Sequence, residues 1–438
     1  MTTGASPNAR RQLARECVTA GIEAAHPERV VRDAVALDGD TLRIQEATFD
    51  LAAYDSVTLL GGGNAASQVA AAVEDVLGDR LDGGLVVTDD PAETDRVDVL
   101  RGDHPVPSER GVEATRRLLD AADAAGEDDL VLTAVTGGAS ALLTAPAGDL
   151  SLDDLQTTTD GLLASGAPIG ETNAVRKHLS DLKGGRLARR LAPARVATLA
   201  FSDVAGDDLS VIGSGPVVPD PSTHADARSV LDDYGVEVPS AVRDHLERGI
   251  DSANDDTPGA DDPAFDRVGT HLLATNRTAI DAARDVAADA GYEPLVLSTT
   301  VVGEAREAAK THVAVAEEAL ATGDPVEPPC VVLSGGECTV TVAGDGTGGP
   351  NLEFALSAAL DLPPGATLCA VDTDGRDGAT DAAGAVVDAD TVSDRRAAAR
   401  ALRENDAYPV LESRDALVET GATGTNVNDL RVLVVGSE

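Results

Sequence analysis

The feature that most constrains the fold of this chain is an alternation of short Val/Leu runs with Ala-rich amphipathic stretches. The Val/Leu runs are predicted to be buried strands, at 56–60, 85–88, 97–101, 130–135 and 196–201. The stretches with helical periodicity lie between them, at 64–76, 109–125 and 152–164. Apolar strands that alternate with helices are typical of a parallel sheet covered by helices on both faces. The sequence therefore predicts an α/β fold.

The alternation is interrupted once, in the acidic stretch 251–265, which contains two prolines and has no periodicity. Afterwards it resumes, with strands at 271–275, 294–298, 330–334 and 429–435 and helices at 279–290 and 303–322. A length of 438 residues is typical of two or three domains. We expect a large α/β domain at 1–250 with a doubly wound, mostly parallel, Rossmann-like sheet. An acidic linker or loop at 251–265 and a smaller α/β domain with a mixed sheet at 266–438 would follow it.

The charge of the chain narrows the classes of protein that it can belong to. Its 34 basic and 76 acidic residues give a formal net charge of −42. Such a surface repels itself in dilute buffer, but the screening length falls to about 3 Å at molar salt, which predicts a halophilic protein of a salt-loaded cytoplasm. The absence of a basic face disfavours nucleic-acid binding, and no run approaches the roughly 18 apolar residues of a membrane span. Small-molecule partners are expected, and a homo-oligomer stays an open alternative.

Lysine is rare in this chain and is concentrated in one segment. Only three lysines occur, and Lys177 and Lys183 lie together in the run 173–185, which ends with Lys-Gly-Gly. An ammonium group is a compact point charge, so this run is a candidate anion site, with Arg176 as a further cation. Surface salt bridges in an acidic protein are the alternative interpretation for Arg176 and Lys183.

Three of the predicted strands run into glycine-rich turns. The turns contain Gly61, Gly62 and Gly63 after the first strand, Gly137, Gly138 and Ser140 after the fourth, and Gly335, Gly336 and Glu337 near the end of the chain. Glycines let backbone N–H groups approach an anion, and a following helix adds its positive end, so the turns predict a phosphorylated ligand or nucleotide. Tight strand-to-helix turns are the alternative. No GxxxxGK[ST] motif occurs, which excludes a P-loop, and the one GxGxxG-like string, at 344–349, lacks the acidic partner of a dinucleotide site.

Acidic residues follow two of the predicted strands directly. Asp203 and Asp207 come after the strand that ends near 201, and Asp374 follows an apolar run that ends at 371. Magnesium is usually held by one or two carboxylates together with substrate phosphates. These aspartates are therefore candidate metal ligands, with solvated surface acids as the alternative.

Several motifs together resemble the glycerate 2-kinase family over nearly the whole chain. In the first half they are GDHPVP at 102–107, TGGASA at 136–141, ETNAVRKHLS at 171–180, KGGRLA at 183–188 and SDVAGDD at 202–208. In the second half they are SGGECTV at 334–340, TDGRDG at 373–378 and TGTNVNDL at 423–430. The motifs occur in the order of that family.

The resemblance implies a two-domain α/β enzyme with its active site in the cleft between the domains. Such an enzyme transfers the γ-phosphoryl group of ATP to the 2-hydroxyl of D-glycerate with Mg²⁺, giving 2-phosphoglycerate and ADP. The implied catalytic residues are Lys183, Arg176, Lys177 and Asn64, and the implied substrate-binding residues are Asn173, Arg176, Ser180 and Ser202. The three glycine turns would bind the nucleotide, and Asp203, Asp207 or Asp374 would bind the metal.

Two positions depart from the pattern of that family. Asn64 stands where the family usually has a lysine, and Pro350 stands where it has an arginine. The loss of one cationic donor can slow such a reaction by about 10²- to 10⁵-fold. Arg376 or Arg277 could replace the lost charge, the substrate could be another hydroxy acid, or the protein could bind its ligands with weak turnover. A hydroxypyruvate reductase is the least favoured alternative, because the chain lacks a convincing nicotinamide fingerprint.

Overall fold

The structure is a computed structural model that describes residues 6–252 and 256–436. Its helices are α1 (Pro7–Ala25), α2 (Pro27–Ala34), α3 (Ala66–Leu77), α4 (Glu109–Asp123), α5 (Ala139–Leu142), α6 (Leu152–Ser165), α7 (Ile169–His178), α8 (Arg186–Leu191), α9 (His224–Asp233), α10 (Ser240–Asp251), α11 (Asn276–Asp289), α12 (Ala305–Thr322), α13 (Pro350–Asp361), α14 (Arg395–Arg403) and α15 (Ala407–Glu412). Its strands are β1 (Val35–Asp38), β2 (Thr41–Ile44), β3 (Ala47–Asp50), β4 (Ser56–Gly62), β5 (Gly83–Thr88), β6 (Val97–Arg101), β7 (Asp129–Val135), β8 (Arg195–Phe201), β9 (Val268–Ala274), β10 (Glu293–Glu304), β11 (Cys330–Thr339), β12 (Ala366–Asp372), β13 (Gly384–Asp388), β14 (Leu417–Val418) and β15 (Asp429–Val435).

The chain folds into two compact units that are discontinuous in sequence. We call Val30–Ser202 with Asp208–Leu273 the parallel-sheet unit, and Met1–Arg29 with Asp203–Asp207 and Ala274–Glu438 the mixed-sheet unit. The first helix thus joins the second half of the chain, because α1 packs on α11, β12 and β15. The units meet in sequence near residue 273, later than the expected linker. Of that linker, residues 253–255 lie outside the described residues, and Thr257 and Pro258 are buried in the parallel-sheet unit.

The parallel-sheet unit contains a six-stranded sheet with the order β6-β5-β4-β7-β8-β9. The neighbours from β6 to β8 all pair in parallel, with β4 between β5 and β7. This order is that of the Rossmann fold, so the predicted doubly wound α/β class is confirmed. Helix starts also follow their sequence signals, since Ser151 and Asp154 form a capping box at the start of α6.

A small antiparallel sheet of β1, β2 and β3 precedes the large one, and the sequence analysis did not predict it. Each of its strands has only four residues, which is too short for a clear period of two. Leu42 and Ile44 on β2 are nevertheless fully buried.

The mixed-sheet unit contains a second six-stranded sheet with the order β10-β11-β15-β12-β13-β14. β10 and β11 pair in parallel, while β15 runs antiparallel to both β11 and β12. This arrangement confirms the predicted mixed sheet. Its core includes the fully buried Phe354 of α13 and side chains from α12 and β15.

Candidate active site

The order in which the chain adds strands to the parallel sheet reverses between β4 and β7, which are neighbours in the middle of the sheet. Chain connections leave these two strands toward opposite edges, so a crevice forms at their carboxyl ends. Two of the predicted glycine turns lie there, at residues 61–64 and 136–138. Open α/β sheets bind their ligands at such a switch point.

Lys183 lies beside the second glycine turn. Its ammonium group donates hydrogen bonds to the carbonyl oxygens of Ser140 at 2.7 Å and Leu143 at 3.0 Å, and the side chain is almost fully buried. Burial lowers the pKa of Lys183 well below its ordinary value, and the nearby Arg176 guanidinium lowers it further. No carboxylate of the described residues pairs with Lys183. An anion is therefore the partner that would stabilise the charged form of this lysine.

Arg176 faces the same cavity as Lys183. The cavity has a volume of about 350 Å³, and Ser140, Thr144, Thr158, Pro105 and Leu155 also line it. Burial lowers the pKa of Arg176, and no hydrogen bond or ion pair within the described part of the chain involves its guanidinium. Asp160, an exposed residue, also lines the cavity, but no carboxylate of the described residues pairs with either cation. Two desolvated cations without a carboxylate partner form a site for a negatively charged ligand. We call this cavity the cation pocket.

Lys177 is directed to a different partner. Its ammonium group forms an ion pair at 3.0 Å with Asp220, and both side chains are buried. Burial would raise the pKa of Asp220, but hydrogen bonds from Ser222 and Thr257 and the charge of Lys177 lower it overall. Lys177 does not line the cation pocket. Its charge is already neutralised, so its expected role in anion binding has no support from its position.

The remaining predicted substrate residues differ in how close they lie to the pocket. The Ser140 and Ser214 hydroxyls are 2.8 Å apart, and Ser214 donates a long hydrogen bond of 3.5 Å to Asn173. Asn173 is thus connected to the pocket residue Ser140 through Ser214, but it does not itself line the pocket. Ser180 accepts hydrogen bonds from the N–H groups of Leu182 and Lys183, so it shapes the backbone beside Lys183. Ser202 is buried directly after β8 and does not line the pocket.

The first glycine turn serves close packing, in contrast to the expectation that it binds phosphate. The N–H of Gly63 donates to Val87 and that of Asn64 donates to Gly137, so these amides are occupied. A Cβ atom on Gly61 would lie 2.0 Å from the carbonyl oxygen of Ala134, and one on Gly63 would lie 2.0 Å from the hydroxyl of Thr136. Glycine is required here because β4 and β7 approach each other closely.

The second glycine turn keeps its amides available. No hydrogen bond between described residues uses the N–H groups of Gly137 or Gly138. Gly138 has a φ of +76°, and a Cβ atom on it would lie 1.9 Å from Oδ1 of Asn64. The side chain of Asn64 donates to Asp89 at 2.9 Å, while its backbone N–H donates to the carbonyl oxygen of Gly137 and links the two turns. The second turn is thus the better candidate for binding phosphate oxygens.

Carboxylates cluster in the mixed-sheet unit, where β11 and β12 end and the antiparallel β15 begins. Asp372 lies opposite Asp429 in the sheet, and burial and the charges of Asp374 and Asp429 raise its pKa well above its ordinary value. The pKa of Asp374 is also raised, mainly by burial. Partial desolvation and the charges of Asp203 and Asp429 raise the pKa of Glu337. These five side chains form what we call the carboxylate cluster.

The carboxylate cluster fits a hard divalent cation. Mutual repulsion among its members would be relieved by a positive ion, and oxygen atoms are the ligands of Mg²⁺. The amide of Asn351 donates to Asp429 at 2.6 Å, and its buried Oδ1 has no hydrogen-bond partner among the described residues. Asp203 and Asp374 lie in the cluster and stay candidate metal ligands. No electrostatic contact joins Asp207 to the cluster in the described chain.

The third predicted glycine turn is part of a strand. β11 continues through Gly335, Gly336 and Glu337 to Thr339, so the expectation of a glycine-rich turn after this strand was wrong. A Cβ atom on Gly335 would lie 1.7 Å from the side chain of Asn276, and one on Gly336 would lie 2.3 Å from the carbonyl oxygen of Val301. Close packing explains these two glycines.

Pro350, one of the two departures, is the first residue of α13. It follows the N-cap Gly349, and the N–H groups of Asn351 and Leu352 donate to Asp377. Proline suits this position because the first helical N–H has no partner within the helix. Of the two arginines that could replace the lost charge, Arg277 pairs with Asp281, and Arg376 is exposed beside Asp374.

Sequence reasoning missed three contributors to these sites. Ser214 has a positive φ of 62° and contacts Ser140, and its signal was the Ser-Gly-Pro string at 214–216. Asp429 and Asp372 looked like strand residues in an acid-rich chain. Only the pairing of β12 with β15 brings these two together.

Comparisons with known proteins place both halves of the chain in described families. The model for the domain of unknown function DUF4147 matches residues 13–247, and the MOFRL family model matches residues 330–429. The D-glycerate 2-kinase of Thermotoga maritima is 39% identical over 433 residues, covering 97% of this chain and 98% of that protein. A protein of Agrobacterium vitis, provisionally named a hydroxypyruvate reductase, is 41% identical over 388 residues, covering 86% of this chain and 87% of its own.

A solved structure shares the fold as well. The crystal structure of glycerate kinase from Thermotoga maritima matches with a TM-score of 0.85 and 38% identity, covering 98% of this chain and 100% of the other. The chain is therefore a two-unit α/β protein, in which one unit contains a Rossmann-like parallel sheet and the other a mixed sheet. This chain belongs to the glycerate 2-kinase family.

Proposed function

We propose that the protein is an ATP-dependent kinase that phosphorylates D-glycerate at its 2-hydroxyl, giving 2-phosphoglycerate and ADP. The observation that carries this function is the cation pocket, where Lys183 and Arg176 lie in one cavity without a carboxylate partner. Both the substrate and the migrating phosphoryl group are anions. Phosphoryl transfer depends mainly on positioning and charge neutralisation, which is what two preorganised cations supply.

In this proposal the residues of the cation pocket have distinct roles. The guanidinium of Arg176 presents a planar fork of donors, which suits the glycerate carboxylate, and the ammonium of Lys183 neutralises the transferring phosphoryl group. The free amides of Gly137 and Gly138 bind phosphate oxygens, and Ser140, connected to Asn173 through Ser214, orients the hydroxy acid. Lys177 is excluded from this set because Asp220 already neutralises it.

The carboxylate cluster would hold Mg²⁺, with Asp203, Glu337 and Asp374 as its side-chain ligands. Magnesium, when bound, neutralises charge on nucleotide phosphates. The residues of this chain keep the ligands in place, because Asn351 and the N–H of Cys338 donate hydrogen bonds to Asp429 within the cluster. We assign the protein to the cytoplasm on the charge of the whole chain.

The direct test is phosphorus NMR of the product after incubation with ATP, Mg²⁺ and D-glycerate in molar KCl. We expect one new phosphate monoester with the coupling pattern of 2-phosphoglycerate. A 3-phosphoglycerate product would overturn the assigned position. ATP and glycerate binding in a calorimeter without any product would indicate a ligand-binding protein.

The two departures from the family pattern are tested by restoring the charges. Asn64→Lys places an ammonium group beside Asp89, and Pro350→Arg places a guanidinium near Asp377. If the missing charges handicap transfer, the double variant should raise kcat by about 10-fold or more. An unchanged or lower kcat would mean that the site is rebuilt around Asn64 and Pro350. Competing hydroxy acids, assayed with the unsubstituted protein, then identify the preferred substrate.

Hydroxypyruvate reduction is a second candidate, because a relative carries that name. It requires a nicotinamide site. Incubation with hydroxypyruvate and NADH or NADPH in molar KCl distinguishes the two candidate functions. Oxidation of the nicotinamide would favour the reductase over the kinase.

A further inference from the structure

The parallel-sheet unit contains a group of imidazole and carboxylate side chains that does not line the cation pocket. His178 is the last residue of α7, His224 is the first of α9, and Asp256 lies in the segment after α10. One ligand atom of each lies within 4.8 Å of the other two. We propose that these three side chains bind one divalent transition-metal ion of the zinc class, separate from the magnesium of the carboxylate cluster.

The imidazole of His178 has the protonation state of a metal ligand. Its ring is fully buried, and its Nδ1 lies 2.8 Å from the carbonyl oxygen of Ala174, so Nδ1 carries the proton and Nε2 has the lone pair. Neutral imidazole is the form that binds zinc.

The lone pair on Nε2 of His178 lacks a good donor. The nearest hydroxyl, that of Thr257, is 3.5 Å away. This hydroxyl has two closer acceptors, a carboxylate oxygen of Asp220 at 2.9 Å and the carbonyl oxygen of Ser222 at 3.0 Å. Since a buried acceptor is rarely left without a partner, this nitrogen indicates a missing ligand.

Asp256 and His224 complete a set of nitrogen and oxygen ligands. One carboxylate oxygen of Asp256 is 2.7 Å from Nδ1 of His224 and 3.8 Å from Nε2 of His178. Ligand atoms around tetrahedral zinc are roughly 3.3 Å apart, because each lies about 2.0 to 2.2 Å from the metal. The two observed distances bracket that value. On binding, Nδ1 of His224 loses the proton that it shares with Asp256, the proton moves to Nε2 or to solvent, and the metal takes its place.

The surroundings hold the rings in place, and the carboxylate of Asp256 is partly open to solvent. A Cβ atom on Gly249 would lie 2.5 Å from Nε2 of His224, so glycine in α10 makes room for this ring. The rings of His178 and His224 pack edge to face at 4.5 Å. The Asp256 side chain is 31% exposed, which opens the site to solvent and to a water molecule as fourth ligand.

Metal binding here would stabilise the pocket without taking part in chemistry. The metal would tie the segment that contains Asp256 and Thr257 to the end of α7. Thr257 in turn donates to Asp220, the partner of Lys177, and α7 also carries Arg176. The ion would therefore act as a clamp on the helix that supplies one cation of the pocket.

The test is zinc binding by the full chain after chelator treatment, in molar KCl with excess Mg²⁺ to occupy surface carboxylates. We expect calorimetry to give one zinc per chain and the unfolding temperature to rise. Co²⁺ used as a probe should show visible bands of nitrogen and oxygen coordination without thiolate absorption, because the four cysteines are buried. Absence of zinc binding, or a thiolate band, would overturn the proposal.

Variants then locate the ion. Asp256→Asn and His224→Gln should each weaken zinc binding by at least about 10- to 100-fold. Asp262→Asn is the matched control, because Asp262 lies in the same segment but pairs with Arg189. Circular dichroism checks each fold, and His224→Gln decides if Asp256→Asn does not fold. Equal zinc affinity in Asp256→Asn, His224→Gln and Asp262→Asn would show that zinc binds to surface carboxylates, and would overturn the proposal.

Discussion

At the scale of single residues, the charge state of Lys183 depends on what occupies the cation pocket. Two carbonyl oxygens accept its hydrogen bonds, and no described carboxylate pairs with it. The guanidinium of Arg176 repels the ammonium of Lys183. A bound anion would offset this repulsion and stabilise the charged form of Lys183. The lysine pair that was conspicuous in the sequence thus divides into one ion-paired residue and one residue directed at the pocket.

Replacing Lys183 by methionine should lower kcat by about 10²- to 10³-fold, because the charge that neutralises the phosphoryl group is lost while the aliphatic stem stays. Lys310→Met is the control, since Lys310 is exposed and pairs only with Glu307. Initial rates with saturating ATP and glycerate measure the effect, and thermal unfolding checks the fold. Comparable rates for the two variants would remove Lys183 from the catalytic set.

Glycine at position 138 is predicted to be indispensable for a reason that Gly166 does not share. Both residues have a positive φ, +76° and +74°, but a Cβ atom on Gly138 meets Asn64 at 1.9 Å, while one on Gly166 has nothing within 4 Å. Gly166→Ala should cost about 1 kcal/mol of unfolding free energy. Gly138→Ala should cost about 2 kcal/mol or more, with loss of activity, because the Asn64 side chain must also move and loses its hydrogen bond to Asp89. Urea titrations of both variants compare them directly, and equal costs would contradict the packing argument.

At the scale of elements, α12 and β11 are joined by a buried histidine. Nε2 of His312 lies 2.7 Å from the Ser334 hydroxyl, and Nδ1 lies 3.1 Å from the carbonyl oxygen of Ala308. Burial lowers the pKa of His312 from 6.5 to about 4. Between these values the unfolded chain binds more protons than the folded one, so stability falls as the pH falls.

The His312→Gln variant should therefore lose less stability than the unsubstituted protein between pH 6.5 and pH 4. The difference should reach up to about 3 kcal/mol, since each pKa unit corresponds to about 1.4 kcal/mol. Guanidinium titrations across this range give the two curves. His104→Gln, at an exposed histidine, is the control and should follow the unsubstituted protein. Parallel curves for His312→Gln would show that His312 does not titrate as stated.

The elements also show where pattern reasoning succeeded and where it stopped. β6 and β15 have the predicted ends, because a Val/Leu run bounded by polar residues is sufficient to define a buried strand. β11 extends five residues beyond its predicted end. Gly335 and Gly336, which were predicted to form a turn, instead allow close packing within the strand. A glycine allows both outcomes, and the sequence alone does not contain the neighbour that decides between them.

At the scale of the whole molecule, a net charge of −42 opposes folding at low salt. Many of the arginines form exposed ion pairs, as in Arg228 with Asp232, and each of these contributes only about 0 to 1 kcal/mol. Repulsion among the surplus carboxylates therefore dominates. A halophilic origin stays a prediction from this balance.

The unfolding temperature should rise by on the order of 10 °C between 0.1 M and 2 M KCl, because the screening length falls from about 10 Å to about 3 Å or less. Differential scanning fluorimetry or calorimetry measures the rise. Sucrose at equal osmolality is the control, because it favours burial without screening charge. An unfolding temperature that is independent of KCl would contradict the expected adaptation.

The sequence by itself determined the α/β class, most strand and helix positions, and the segment that contains Arg176 and Lys183. These properties follow from local periodicity and composition, which act over a few residues. Only the tertiary structure decided that Lys177 pairs with Asp220, that N–H groups of the first glycine turn donate to Val87 and Gly137, and that Asp372 faces Asp429. Each of these contacts joins residues that are distant along the chain. Such contacts depend on how strands and loops pack, and that packing is set by the whole fold.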